Sequence, residues 1–159
     1  MHPLLSSFKC SMEPEEEDYL MNRSVKHDID SISRTYLLIE NDVGGPSVKG
    51  YFTLAVKCLS IKENKDIQDE IKNRMNIDRG TAQAYLLGQL AKADGAEKGL
   101  GKEMMELAIK IFKEGHNMFG CRVIRLDCKD GLLKYYEKNG FTPIGKSKDG
   151  TLNQMIMVL

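Results

Sequence analysis

The segment Lys98-Gly99-Leu100-Gly101-Lys102 constrains this chain more than any other. It comes after an apolar run, Ala84-Tyr85-Leu86-Leu87-Gly88-Gln89-Leu90-Ala91, that reads as a strand, and it opens a helical run to about Glu114. A strand, a short glycine loop and a helix together make a place for an anion. Glycines let successive backbone N–H groups crowd round it, and the helix N-terminus adds partial positive charge. In the helix, Met104, Leu107 or Ala108, and Ile111 recur at steps of three and four, which sets one apolar stripe against a sheet. Lys102, Glu103, Glu106, Lys110 and Lys113 occupy the other side.

Spacing narrows the choice of anion. A Walker A loop needs a glycine where Ala96 stands and a hydroxyl where Glu103 stands. A dinucleotide fingerprint needs a third glycine at the position of Met104. Both are excluded. Two glycines around one residue also suit an ordinary strand–turn–helix, so the loop alone leaves that reading open.

Charge and cysteine usage bound the function classes. At 159 residues the chain is read as one domain spanning 1–159, with room for a sizeable core. Its 23 basic and 23 acidic residues cancel, so no global field recruits nucleic acid or membrane. Residues 1–50 carry five Lys/Arg against nine Asp/Glu, leaving the rest of the chain at +4. That mild surplus suits an anionic cofactor and, more weakly, RNA. Cys10, Cys58, Cys121 and Cys128 form no C-x-x-C and no metal spacing with His2, His27 or His116, so free thiols and no metal are expected. Met1 to Phe8 has no apolar signal-peptide core, and no uncharged run reaches the roughly eighteen residues of a membrane span. A soluble, cytoplasmic protein without a membrane partner is expected.

Along the chain, residues 4–10 read as extended. A helix is predicted from about Glu13 to Ser24 or beyond, led by Ser11, Pro14 and an acidic first turn, with Tyr19, Leu20 and Val25 inward. Residues 35–40 and 48–56 read as a hairpin about a turn cluster at 41–46. Residues 60–78 are polar with helical spacing at Ile61, Ile67, Ile71 and Met75 and read as helix or loop. Gly115 and Asn117 are read as ending the central helix. A strand comes next over 121–128, then a short helix over 131–138 closed by Asn139-Gly140. Two closing strands, 141–145 and 153–159, join through Lys148-Asp149-Gly150. Strand–helix–strand in the middle implies a parallel pair, and the flanking hairpins make the sheet mixed.

Ala96-Glu97-Lys98-Gly99-Leu100-Gly101 resembles Q/R-x-x-G-x-G/A, the pyrophosphate loop of the GNAT superfamily of acyl-CoA-dependent N-acetyltransferases, with Ala96 in the place of the first Gln or Arg. About 35 residues on, Tyr135-Tyr136-Glu137-Lys138-Asn139-Gly140-Phe141 resembles the Y-E-K-x-G-F segment of the same superfamily, again on a helix after a strand. The resemblance implies an α/β fold with a central, mixed, mostly antiparallel sheet flanked by helices. Its parallel strands, near 84–91 and 122–128, would splay. The pantetheine of acetyl-CoA would lie in the opening, bonded by the backbone of Leu90, Ala91 and Lys92. The N–H groups of Lys98, Gly99, Leu100, Gly101 and Lys102 would hold the pyrophosphate. Tyr136 would stand near the thioester sulfur as the catalytic residue, where a phenol can protonate or hydrogen-bond a departing thiolate. Tyr135, turned about 100° away on the helix, is read as packing or rim.

A narrower resemblance covers most of the chain. Phe8-Lys9-Cys10, Asp18-Tyr19-Leu20, Thr35-Tyr36, Gly50-Tyr51-Phe52-Thr53-Leu54 and Leu87-Gly88-Gln89-Leu90-Ala91 resemble segments of one GNAT branch. That branch includes toxins that acetylate the α-amine of aminoacyl-tRNA and are neutralised by a DNA-binding antitoxin. The resemblance implies an acetyltransferase acting on a primary amine, with aminoacyl-tRNA the leading acceptor. An antitoxin and a second copy of the chain are candidate partners. Small-molecule amines and protein N-termini stay open as acceptors, and so does a non-catalytic module that holds CoA or a protein. No general base stands out. Glu40 and Asp127 lie at strand ends and are read as structural or exposed.

Overall fold

The computed structural model describes residues 3–61 and 67–159. The chain divides into two compact units, Met1–Ala55 with Leu87–Lys110, and Val56–Leu86 with Ile111–Leu159. Among the described residues seven strands form one sheet, ordered β1-β2-β4-β5-β7-β6, with β3 paired to β4.

In the first unit, β1 (Arg34–Asp42) pairs antiparallel with β2 (Gly45–Ser60). The ladder extends through Asn41↔Pro46 and Asp42↔Gly45, so the turn is shorter than the cluster 41–46 suggested. Gly45 at φ +110° allows the tight reversal. The register shifts between Leu38 and Ile39, where β2 carries Lys49 as an extra residue. Ahead of the hairpin come α1 (Pro14–Asn22) and α2 (Ser24–Ile29), so the single predicted helix is broken at Arg23. Pro14 at the helix start and Glu15, Glu16 and Glu17 in its first turn suit the exposed backbone N–H groups there. Tyr19 and Leu20 are buried as expected, but Val25 is 51% exposed because the break turns α2 outward. Residues 4–10 are not uniformly extended, since Leu5–Ser7 form a 3-10 turn that tucks Leu5 into the core.

That core gathers Phe8, Tyr19, Leu20, Val48, Tyr51 and Ala91. Tyr51 sits edge-on to Phe8, with ring centroids 5.3 Å apart, and stacks on Tyr19. Its hydroxyl lies 2.8 Å from the Glu16 carbonyl oxygen and 2.9 Å from the Glu16 carboxylate. Burial beside that carboxylate holds the Tyr51 phenol well above its ordinary range.

In the second unit, the part of β4 (Thr81–Lys92) up to Leu86 runs parallel with β5 (Val123–Cys128) through Ala84↔Val123, Tyr85↔Ile124 and Leu86↔Arg125. β5 then pairs antiparallel with β7 (Asn153–Val158), and β7 with β6 (Thr142–Lys146). The parallel ladder is three residues long, in strands of twelve and six. Residues 60–78 contribute α3 (Asp69–Lys72) and β3 (Ile77–Asp78), with Ile67 and Met75 buried beside Ala84 and Val123. The part of that stretch at 62–66 lies outside the described residues. At the chain's far end Asp149 caps its turn, accepting from Ser147 Oγ at 2.6 Å and from the Thr151 N–H at 3.1 Å.

α4 (Leu100–Phe119) buries Met104, Met105, Ala108 and Phe112, and leaves Leu107 42% exposed. The helix does not stop at Gly115 or Asn117; it continues to Phe119, and Gly120 at φ +84° ends it. Gly115 has a different role. A Cβ there would lie 2.7 Å from Tyr85 Oη, and the Tyr85 ring is itself pinned by stacking on Phe112. Glycine is needed for this close approach of helix and tyrosine. Gly115→Ala is therefore expected to destabilise the fold by about 1–3 kcal/mol in thermal or urea unfolding. The Tyr85 hydroxyl is buried and, among the described residues, finds no hydrogen-bond partner. Tyr85→Phe removes the atom in the way, so Gly115→Ala in that background should lose less.

Candidate functional site

The glycine loop is built within the first unit. Upstream, β4 is tied to β2 by the Gln89 N–H, which donates to Thr53 Oγ1 at 2.9 Å. Leu90 is half-buried, Ala91 buried and Lys92 exposed. After Lys92 the chain is held by its neighbours' carbonyls. The Ala93 N–H donates to Lys49, the bulged residue of β2, at 2.8 Å, and the Asp94 N–H donates to Lys9 at 2.7 Å. A turn closed by the Ala96 N–H on the Ala93 carbonyl, with Gly95 at φ +72°, then throws the chain outward.

Beyond this turn the backbone has donors to spare. The Leu100 N–H reaches the Glu97 carbonyl at 3.4 Å, and the Lys102 and Glu103 N–H groups share the Gly99 carbonyl at 2.8 and 3.2 Å. Among the described residues, the N–H groups of Lys98, Gly99 and Gly101 donate to no carbonyl. Gly99 sits at φ +105°, and a Cβ built on it meets nothing within 4 Å. A backbone turned to positive φ with open space before it, at the start of a 20-residue helix, has the form of an anion seat. Lys98 and Lys102 are exposed beside it, Lys102 within 3.6 Å of Glu106 one helical turn on. Glu97, the carboxylate of the loop, is exposed as well. Behind the loop the helix comes down on β2: a Cβ on Gly50 would stand 2.7 Å from Met104 Sδ and 3.2 Å from the Ala91 carbonyl oxygen.

Tyr136 belongs to the second unit. β5 ends in a 3-10 turn, Asp130–Leu132, which leads into α5 (Leu133–Lys138). Gly140 at φ +90° stops the helix, and the Phe141 N–H returns to the Tyr136 carbonyl at 3.1 Å. The Tyr136 ring is 7% exposed. It stands edge-on to Tyr135, with centroids 5.2 Å apart, and to Phe141, at 5.9 Å. Two aromatic edges help hold the ring in place. Tyr135 is half-buried.

A polar clamp holds the turn before α5. Asp130 Oδ1 accepts from Lys146 Nζ at 2.6 Å and from Asn153 Nδ2 at 2.7 Å, and Asn153 also donates to the Cys128 carbonyl at 3.3 Å. Lys146 first, then Asn153, holds the Asp130 carboxyl below its ordinary value. By linkage, a depressed carboxyl contributes stability above its unfolded value and loses it as the pH falls through the folded one. Lys146→Ala is expected to return the Asp130 titration, followed by carboxyl NMR, toward the ordinary 3.8.

Glu40 and Asp127 take ordinary roles. Asp127 pairs with the buried Arg125 at 3.3 Å, whose other amino group reaches the Cys58 carbonyl at 3.2 Å. Glu40 is exposed, 4.0 Å from Lys49. The four cysteines are free, and burial pushes the thiols of Cys10, Cys121 and Cys128 up, away from reactivity. Among the described residues no group of His, Cys, Asp and Glu could hold a metal ion, and no helix is long and apolar enough to cross a membrane. The contacts of Ser11, Asp94 and Asn153 were not foreseen, because no local pattern marks partners 83 or 23 residues apart.

No protein-family model and no curated protein sequence matches this chain. Solved structures do. A protein described as a bacterial toxin superposes with a TM-score of 0.81 at 15% identity, over 99% of this chain and 84% of its own. AtaT complexed with acetyl-methionyl-tRNAfMet gives 0.77 at 20% identity, over 94% and 85%. A tyrosine-to-phenylalanine variant of the AtaT toxin, bound to the C-terminus of the antitoxin AtaR and to acetyl-CoA, gives 0.74 at 18% identity, over 97% and 84%. The chain thus has the fold these toxins share, the GNAT fold of a mixed, mostly antiparallel sheet with one parallel pair and flanking helices.

Proposed function

We propose that this chain is a single-domain acetyl-CoA-dependent N-acetyltransferase of primary amines, with the α-amine of aminoacyl-tRNA as its leading acceptor and an antitoxin as its partner. The observation that carries the reading is the row of undonated N–H groups, Lys98, Gly99 and Gly101, at the head of α4. A pyrophosphate needs several convergent donors in place of its water, and the loop offers them with two exposed lysines alongside. The fold adds support: AtaT, which shares it, has been solved with acetyl-CoA and with acetyl-methionyl-tRNAfMet.

When bound, acetyl-CoA supplies an acetyl group as a thioester. In this reading the N–H groups of 98–102, with Lys98 and Lys102, hold the pyrophosphate, and the backbone of Leu90, Ala91 and Lys92 bonds the pantetheine as a further strand would. Tyr136 would donate its phenolic proton to the thiolate as the acceptor nitrogen takes the acetyl group, and the nitrogen's surplus proton would pass to water, from which the phenol regains its own. An α-amine with a pKa of about 8 releases it readily, whereas a lysine at about 10.4 would need a base. The α-amine acceptor therefore agrees with the ordinary roles of Glu40 and Asp127.

Calorimetric titration with acetyl-CoA and with CoA tests the reading. Micromolar binding of both is expected, followed by acetyl transfer to charged tRNA. Absence of binding at millimolar cofactor would remove the enzyme reading and favour a second one, a GNAT-fold module that acts through protein contacts. Ala96-Glu97, which brings a carboxylate to the loop and no cation, favours that alternative. Arrest of growth on expression, relieved by Tyr136→Phe, would separate a toxin from an acetyltransferase of small amines.

A further inference from the structure

Residues 9–11 run beside the first turn of the glycine loop and grip it. The Lys9 carbonyl accepts the Asp94 N–H at 2.7 Å. The Asp94 carboxylate accepts the Ser11 N–H at 3.0 and 3.1 Å, and Ser11 Oγ donates to it at 2.6 Å. The gripping segment is anchored in its turn. Glu17 of α1 accepts from Lys9 Nζ at 2.7 Å and from the Cys10 N–H at 3.0 Å, while Cys10 and Phe8 are buried in the core. A chain of charge-assisted bonds therefore runs from α1, through residues 9–11, to the turn that presents the loop.

Asp94 is placed to interfere with that loop. It occupies the second position of the turn at 93–96, ahead of Gly95 and the undonated N–H groups. An aspartate there ordinarily turns its carboxylate onto backbone N–H groups a few residues further on. Here the N–H two residues on, that of Ala96, is already closed on the Ala93 carbonyl, so a carboxylate released from Ser11 would be left unpaired at the entry to the loop and would repel an incoming anion. Ser11 supplies two donors on the other side, and the carboxylate faces them instead.

We propose that Ser11 is a positioning residue for the anion seat: its clasp on Asp94 holds the turn at 93–96 that presents the loop and keeps the carboxylate paired. The inference rests on the reading of that loop as the pyrophosphate site. It makes cofactor affinity depend on a residue more than 80 positions away in sequence, which no feature of the loop itself reveals.

The test is calorimetric titration of acetyl-CoA into the full chain and its variants, with thermal unfolding in parallel. Ser11→Ala should weaken binding roughly tenfold, the scale of one charge-assisted hydrogen bond. Ser11→Thr, which keeps both donors, should bind as the wild type does. In an Asp94→Ala background, adding Ser11→Ala should change affinity no further, because the group it restrains is gone. Gly99→Glu serves as the reference that loses binding. The clasp is refuted if Gly99→Glu loses binding while Ser11→Ala keeps wild-type affinity, whatever its melting temperature. Persistence of the tenfold loss in the Asp94→Ala background refutes it too. Wild-type binding by Gly99→Glu would instead overturn the loop reading itself, and the clasp with it.

Discussion

Gly99→Glu is expected to abolish acetyl-CoA binding while leaving the chain folded. Two effects act together. Gly99 lies at φ +105°, where a side chain is strained even though the space before it is open. The new carboxylate would also project where, in the proposed reading, the pyrophosphate charge sits. At about 4 Å and an effective dielectric of about 20, each such charge pair opposes binding by about 4 kcal/mol, roughly a thousandfold. Gly101→Glu should act in the same direction through charge alone, since Gly101 lies in the first turn of α4. Calorimetry checks the affinity and far-UV circular dichroism the fold. Wild-type affinity in Gly99→Glu would show that 98–102 is an ordinary strand–turn–helix junction.

Tyr136→Phe should lower kcat roughly 10- to 1000-fold while the KM for acetyl-CoA changes little. The pattern matters more than the size. Phenylalanine keeps the ring that packs edge-on against Tyr135 and Phe141, so the helix and the stop at Gly140 should survive. In the proposed mechanism the loss is the proton offered to the leaving thiolate, an interaction needed as the bond breaks and not when the cofactor binds. An unchanged kcat would move the leaving-group role elsewhere. A raised KM with kcat intact would make Tyr136 part of the cofactor seat. Tyr135→Phe, on a ring turned away by one helical step, is the control and should leave kcat within a factor of about two.

Much of the architecture was legible in the order of residues. β-rich composition over 35–40 and 48–56, about a glycine-rich turn, indicated the hairpin, and the structure lengthens it. A strand, a glycine loop and an apolar stripe specified the β4–α4 junction. The α4 positions Met104 and Ala108 are buried as that stripe requires. The short helix over 131–138 and its stop at Asn139-Gly140 came from local chemistry, because a helix end is decided by the few residues that form it.

Where sequence and structure part, the deciding contact lies far off along the chain. Gly115 looked like a helix terminator because glycine is costly within a helix; Tyr85, thirty residues earlier, makes it necessary there. Val25 looked like a continuation of the apolar face of α1, but the break at Arg23 turned it outward. No local residue pattern marks the bulge at Lys49, yet its carbonyl is what receives the Ala93 N–H at the root of the loop.

The division has a physical basis. Local sequence determined which segments are helix, strand and turn, and where backbone N–H groups would be left undonated, because dihedral preference and hydrophobic period act over a few residues. Tertiary structure alone decided which side chains meet: Ser11 with Asp94, Asn153 with Asp130, Gly115 with Tyr85. Those pairings depend on how strands register and helices seat, and only packing of the assembled chain sets these.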